Sequence, residues 1–263
     1  MTTQALVNTF NHQSGDYLER DGAKIYFEVA GSDANPPLLV LHGGFGTLED
    51  FNGILPHLHK AFKVIGVDSR GQGKSTLGPK TLTYEAIQND VLGVLDHLKI
   101  DTLSIIGFSD GGITAYRLAA LGSLKIEKLV TIGSRWHVKN TESTKDLLLK
   151  VSGASWRKKF PATYDAYQKL NPVPDFDVLA QSLVRLWLDP ESSGYPNFAV
   201  QDIACPLLIV RGDDDHLLPL EAVVELKRLV DHSRLLNIPF AGHAAFEDQK
   251  ALFLIVLNEF LSD

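Results

Sequence analysis

The stretch "SIIGFSDGGITA", residues 104 to 115, runs from apolar residues into small ones around a single serine. Ser109 stands between Gly107 and Gly111 in a Gly-x-Ser-x-Gly pattern. The order describes a strand that ends, a turn too tight for side chains at the glycine positions, and a helix that begins at once. A serine on that corner presents its hydroxyl, with the N–H groups of the new helix close by. Three fixed positions also occur in ordinary glycine-rich loops, so the rest of the chain has to decide.

Outward from this stretch, "PLLVLHG" (37–43), "FKVIGVD" (62–68), "TLSIIGF" (102–108), "KLVTIGS" (128–134) and "PLLIVRG" (206–212) are continuously apolar. Such runs suit parallel strands covered on both faces. "KIYFEVA" (24–30) alternates, as an antiparallel strand with one wet face would. Between them, "TYEAIQNDVLGVLDHL" (83–98) and "EAVVELKRLV" (221–230) space their apolar residues as amphipathic helices do. Strand alternating with helix predicts an α/β fold with a doubly wound, mostly parallel sheet. From 137 to 199 the rhythm stops. That segment has helical patterns such as "DVLAQSLVRLWLD", proline-marked turns and, with Trp136 at its border, all three tryptophans. It is expected to be a helical cap over the sheet's edge, with 1–136 and 200–263 forming the core.

A chain of 263 residues, 44% of them hydrophobic, can bury one large core. A net charge of −7 argues against a nucleic-acid partner, which needs a clustered positive field. The short basic run "RKK" (157–159) reads as a solvated face. The single cysteine, Cys205, excludes an internal disulfide and a thiolate metal cluster, and it reads as a buried residue at the entry to a strand. The first 17 residues lack the basic start and apolar core of a secretory signal. "ALFLIVL" (251–257) is too short to span a bilayer and reads as part of a core-facing terminal helix. A cytoplasmic protein without membrane contact is expected. No feature sets an oligomeric state.

Open α/β sheets bind ligands at the carboxyl ends of their strands, so partners for Ser109 are sought there. "DDDHLLP" follows the strand ending at Gly212, and "FAGHAAFED" follows "RLLNIP", with His243 at a loop-to-helix junction. A serine hydroxyl needs a base within hydrogen-bond reach. An imidazole, titrating at about pH 6.5, can take that proton and return it to a leaving group. A carboxylate fixes the ring's tautomer and stabilises the imidazolium. Ser109, one of Asp213, Asp214 and Asp215, and His243 make this set, in an order that serine proteases of other folds do not share. His57, His59, His97 and His232 lie in helical patterns and read as surface residues. The tight "LHGGFG" loop (41–46) offers the N–H of Gly44, and that of Asp110 is the second donor expected for an oxyanion. His42 reads as a pin for that loop. Phe45 and Trp136 are candidate substrate contacts, and Trp136 reads equally well as a purely structural residue. Asp110 reads either as an acid favoured at a helix start or as a group at the pocket rim.

"HGGFG", "DSRGQGKS" (68–75), "GFSDG", and "GDDDHLLP" followed by "GHAAFE" together resemble the α/β-hydrolases, over residues 15 to 262. In that family the acid stands three residues after the strand-end glycine and four before the proline, which selects Asp215. The serine elbow differs from the aspartate of epoxide hydrolases and haloalkane dehalogenases. Ala244 stands where carbon–carbon bond hydrolases usually carry tryptophan. The segment "GFSDGGITA" is similar to the elbow of valacyclovir hydrolase and its biphenyl-hydrolase-like relatives, in which the acid at the position of Asp110 binds a substrate α-ammonium. The resemblance implies hydrolysis of a small carboxylic ester, with no cofactor and no metal. A carbon–carbon bond hydrolase, an acyltransferase and a non-enzymatic small-molecule receptor remain the other readings.

Overall fold

Eight strands form one sheet, and their residues explain why it is covered on both sides. The computed structural model describes residues 9–262. Residues 1–8, the start of the stretch read above as no signal and of the expected core, lie outside them, as does residue 263. The strands are β1 (Asp16–Arg20), β2 (Ala23–Ala30), β3 (Pro37–Leu41), β4 (Lys63–Val67), β5 (Thr102–Phe108), β6 (Lys125–Ile132), β7 (Leu207–Gly212) and β8 (Arg234–Ile238). Their spatial order is β1-β2-β4-β3-β5-β6-β7-β8, antiparallel at the two β2 pairings and parallel from β4 to β8.

Alternate side chains of the central strands enter opposite cores. Leu39, Leu41, Ile65, Ile105, Leu129 and Ile209 face one cluster, and Leu38, Val40, Val64, Ile106, Val130 and Val210 face the other. Helices α2 (Tyr84–His97), α3 (Asp110–Leu121) and α8 (Leu220–Leu229) cover the first face. Helices α1 (Leu55–Leu58), α9 (Ala245–Asp248) and α10 (Lys250–Ser262) cover the second. Both surfaces of each central strand are therefore dry, which is why those runs have no polar alternation. Cys205 is half-buried just ahead of β7, and burial pushes its thiol up to about 11.

Between β6 and β7 lie four helices, α4 (Lys145–Leu148), α5 (Gly153–Lys159), α6 (Pro161–Leu170) and α7 (Phe176–Trp187). The α7 helix starts on Asp175, whose side chain accepts from the Val178 N–H at 3.0 Å. Phe176, Leu179, Leu183 and Leu186 make its buried stripe, which packs on Phe45, Tyr84 and Ile113 of the core. Asn171 ties the segment down by donating to the carbonyls of Gly73 and Ser75, each at 2.9 Å. No helix among the described residues is long and apolar enough to cross a membrane.

Candidate active site

Four parallel strands point their carboxyl ends at the same edge of the sheet, and each hands over to one part of the site. At the end of β5 the chain turns through Ser109, with φ of 51° and ψ of −116°. That left-handed backbone is uncommon for a residue with a side chain. A Cβ at Gly107 would stand 2.6 Å from Gly111 O, and one at Gly111 would stand 2.0 Å from Leu41 O. Only glycine fits where strand, turn and helix close on one another. The Ser109 N–H donates to Ile132 O at 2.8 Å, which fixes the corner to β6.

His243 follows β8, and its Nε2 lies 3.0 Å from Ser109 Oγ. Its Nδ1 meets Asp215 Oδ2 at 2.9 Å and Oδ1 at 3.1 Å. Asp215 follows β7 and is buried, and its Oδ1 also accepts from the N–H groups of Leu217 and Leu218. Burial works against its charge, but the hydrogen bond and charge of His243, with those two N–H groups, outweigh it and hold the carboxyl below its usual range. Asp213 and Asp214 are exposed. The structure thus joins Ser109, His243 and Asp215 in one chain of contacts and leaves the two neighbouring acids outside it.

Gly44 and Phe45 follow β3 and line the same cavity as Ser109, Asp110 and His243, a space of about 440 Å³. His42 holds their loop, with Nδ1 2.7 Å from Gly43 O and Nε2 accepting from the Ser69 N–H at 2.9 Å. Phe45 has φ of 60° and stacks on Phe176 with ring centres 5.1 Å apart, while Trp156 lies 4.1 Å from it. Asp110 begins α3, as an acid favoured at a helix start does, but it is buried. It is 6% exposed, and its carboxylate accepts from Tyr84 Oη at 2.8 Å and from Trp187 Nε1 at 2.9 Å. Burial pushes its pKa up, against the hydrogen bonds of Trp187 and Tyr84 and the charges of Arg135 and His243. A Cβ at Gly44 would stand 2.8 Å from Asp110 Oδ2, so the acid lies directly against the Gly44 loop.

Trp136 takes the structural one of its two readings and is not a substrate contact. It is fully buried in the core beneath α8 and donates its indole N–H to Ala222 O at 2.8 Å. It does not line the cavity, because the chain leaving β6 turns the indole toward α8. Tyr84, Trp187 and Arg135 were not singled out in the sequence. Tyr84 and Trp187 reach Asp110 across 26 and 77 residues, a pairing that no local spacing announces. His216, next to Asp215, also lines the cavity.

A family model described as "alpha/beta hydrolase fold" matches residues 36–151 and 138–250. The esterase YbfF of Escherichia coli is 26% identical over 242 residues, which cover 87% of this chain and 94% of that protein. The serine hydrolase BPHL of Homo sapiens is 28% identical over 237 residues, covering 85% and 78%. The 2-hydroxy-6-oxo-2,4-heptadienoate hydrolase of Pseudomonas putida is 25% identical over 260 residues, covering 87% and 90%.

Proposed function

The chain belongs to the α/β-hydrolase fold family, and on that premise we propose that it is a cytoplasmic serine hydrolase of small carboxylic esters, α-aminoacyl esters among them. The observation that carries this reading is the Ser109 Oγ to His243 Nε2 contact of 3.0 Å, continued from Nδ1 to Asp215. Ser109 Oγ attacks the ester carbonyl carbon while His243 Nε2 takes its proton. Asp215 holds the ring's tautomer and stabilises the imidazolium. The oxyanion is met by the N–H groups of Gly44 and Asp110. The turn's own bonds run instead from Gly46 to Gly43 O and from Gly112 and Ile113 to Ser109 O. His243 then gives the proton to the leaving alcohol. A water activated by the same ring hydrolyses the acyl-Ser109 and releases the acid.

Asp110 gives the reading its substrate preference. Two neutral donors bind its carboxylate, and it lies in the cavity beside the oxyanion loop. An α-ammonium on the acyl group supplies the charge partner that those donors do not. The relationship to a heptadienoate hydrolase keeps carbon–carbon bond cleavage as the second reading; Ala244 after His243 speaks for the ester. The test is labelling by a fluorophosphonate with peptide mapping, beside hydrolysis of short 4-nitrophenyl esters. Labelling at Ser109 with turnover is the expected result. Labelling without ester turnover would point to a receptor, or to a carbon–carbon hydrolase when a dienoate is cleaved instead.

A further inference from the structure

Among the described residues, the cavity around Ser109 is lined by one carboxylate, Asp110, and by three permanent cations, Arg135, Lys150 and Lys159. Arg135 is accounted for. It is buried, and its Nε and Nη2 donate to Leu217 O and its Nη2 to Thr144 Oγ1. Of the two lysines, Lys159 lies over the Phe160 ring, its Nζ 5.1 Å from the ring centre. Neither forms an ion pair among the described residues, and both stand on the wall built by α4, α5 and the turn between them, which carry several cations in a chain of net charge −7.

The basic run 157–159 is exposed, as read from the sequence, and its last residue, Lys159, also borders the cavity. Trp156, one turn before Lys159 on α5 and in the same cavity wall, has a buried indole N–H with no acceptor. That N–H is closed to the cavity as well as to solvent, so the wall offers the lysines and apolar surface rather than this donor. Leu147 and Phe160 flank the lysines at the same wall with partly exposed apolar side chains.

We propose that this outer wall is an anion subsite, and that the preferred esters carry an anionic group, in its simplest form a carboxylate, joined to the scissile ester by a short aliphatic spacer. Lys150 and Lys159 attract the charge, and Leu147 and Phe160 cover the spacer. The inference rests on the ester reading of the cavity. It adds a requirement on the far end of the substrate, away from Ser109 and Asp110.

The experiment compares monomethyl suberate, an anion, with dimethyl suberate, its neutral partner. Binding is followed by tryptophan fluorescence in Ser109→Ala, and kcat/KM is measured in wild type, each at low and high salt. The expected result is a preference of about 3- to 10-fold for the anion at low salt, the size that two exposed cations supply, shrinking as salt rises. The anion-to-neutral ratio should fall to near one when Lys150→Gln and Lys159→Gln are combined, and return with arginine at both positions. Equal binding of the two esters, or a preference that survives the double glutamine variant, would overturn the subsite. A binding preference without turnover of either ester would leave the subsite standing and count against the ester reading.

Discussion

At Asp110 a carboxylate lies buried against the Gly44 loop, hydrogen-bonded only by neutral donors. That placement makes its charge state a determinant of which acyl group is accepted. A valine ester should exceed the matching isovalerate ester in kcat/KM by at least about 30-fold, the worth of a partly desolvated ammonium–carboxylate pair. Asp110→Asn should remove that difference while keeping the backbone N–H in place, and equal rates for both esters in wild type would make the acid purely structural. Because burial raises the Asp110 pKa, the carboxyl takes up its proton at a higher pH than a solvated acid does. On the acid side, the preference for the amino ester should therefore be lost at a higher pH than an ordinary carboxylate would give. Trp136 belongs to a different account. Trp136→Ala should lower stability by about 3–5 kcal/mol, since it empties a fully buried site and removes the indole donor to Ala222 O. Denaturant unfolding checks the loss, and KM for short and long acyl esters should stay within about twofold of wild type; a selective rise for one of them would return the indole to the pocket.

The elbow shows how an element can be read from sequence when its geometry is steric. Gly107 and Gly111 are required because a Cβ at either would collide with backbone. Gly111→Ala should cost more than about 2 kcal/mol and displace Ser109, so thermal unfolding and ester turnover should fall together; an alanine variant with wild-type values of both would refute the argument. The central strands were legible for a similar reason, since dry faces on both sides demand unbroken apolar runs. β1 was not. Its sequence "DYLER" is mostly exposed at the edge of the sheet, and without burial there is little hydrophobic pattern to read. The start of β6 at Lys125 was missed on the same ground, because its first four residues are exposed or half-buried. Asp215 could be chosen over Asp213 and Asp214 only through the family resemblance. The structure places Asp215 alone of the three against His243, with the Leu217 and Leu218 N–H groups behind it.

Across the whole molecule, the site is assembled from the ends of β3, β5, β7 and β8, and α7 brings Trp187 over it from the other side of the chain. Contacts of that range carry no periodic signal, which is why the acid's partners and the lysine wall emerged only in three dimensions. The N-terminal segment is tied in by a similar long-range contact, with His12 bridging Glu49 at 2.6 Å and Asp68 at 2.8 Å. Burial opposes the charged ring, but the bonds and charges of Asp68 and Glu49 prevail and raise its pKa. A group raised on folding adds stability in full below its unfolded pKa of about 6.5, and that addition is lost as pH rises through the folded value. The stability gap between wild type and His12→Gln should therefore be wider at about pH 6 than at about pH 9, as denaturant titrations at both would show; a gap that widens with pH would exclude a charged His12. The central claim is that Ser109 is the nucleophile, and its most direct measurement is kcat/KM for 4-nitrophenyl acetate in wild type and Ser109→Ala, with far-ultraviolet circular dichroism to establish that both are folded. The account predicts a loss of about 10³-fold or more in a folded variant, whereas a folded Ser109→Ala retaining a third or more of wild-type activity would contradict it.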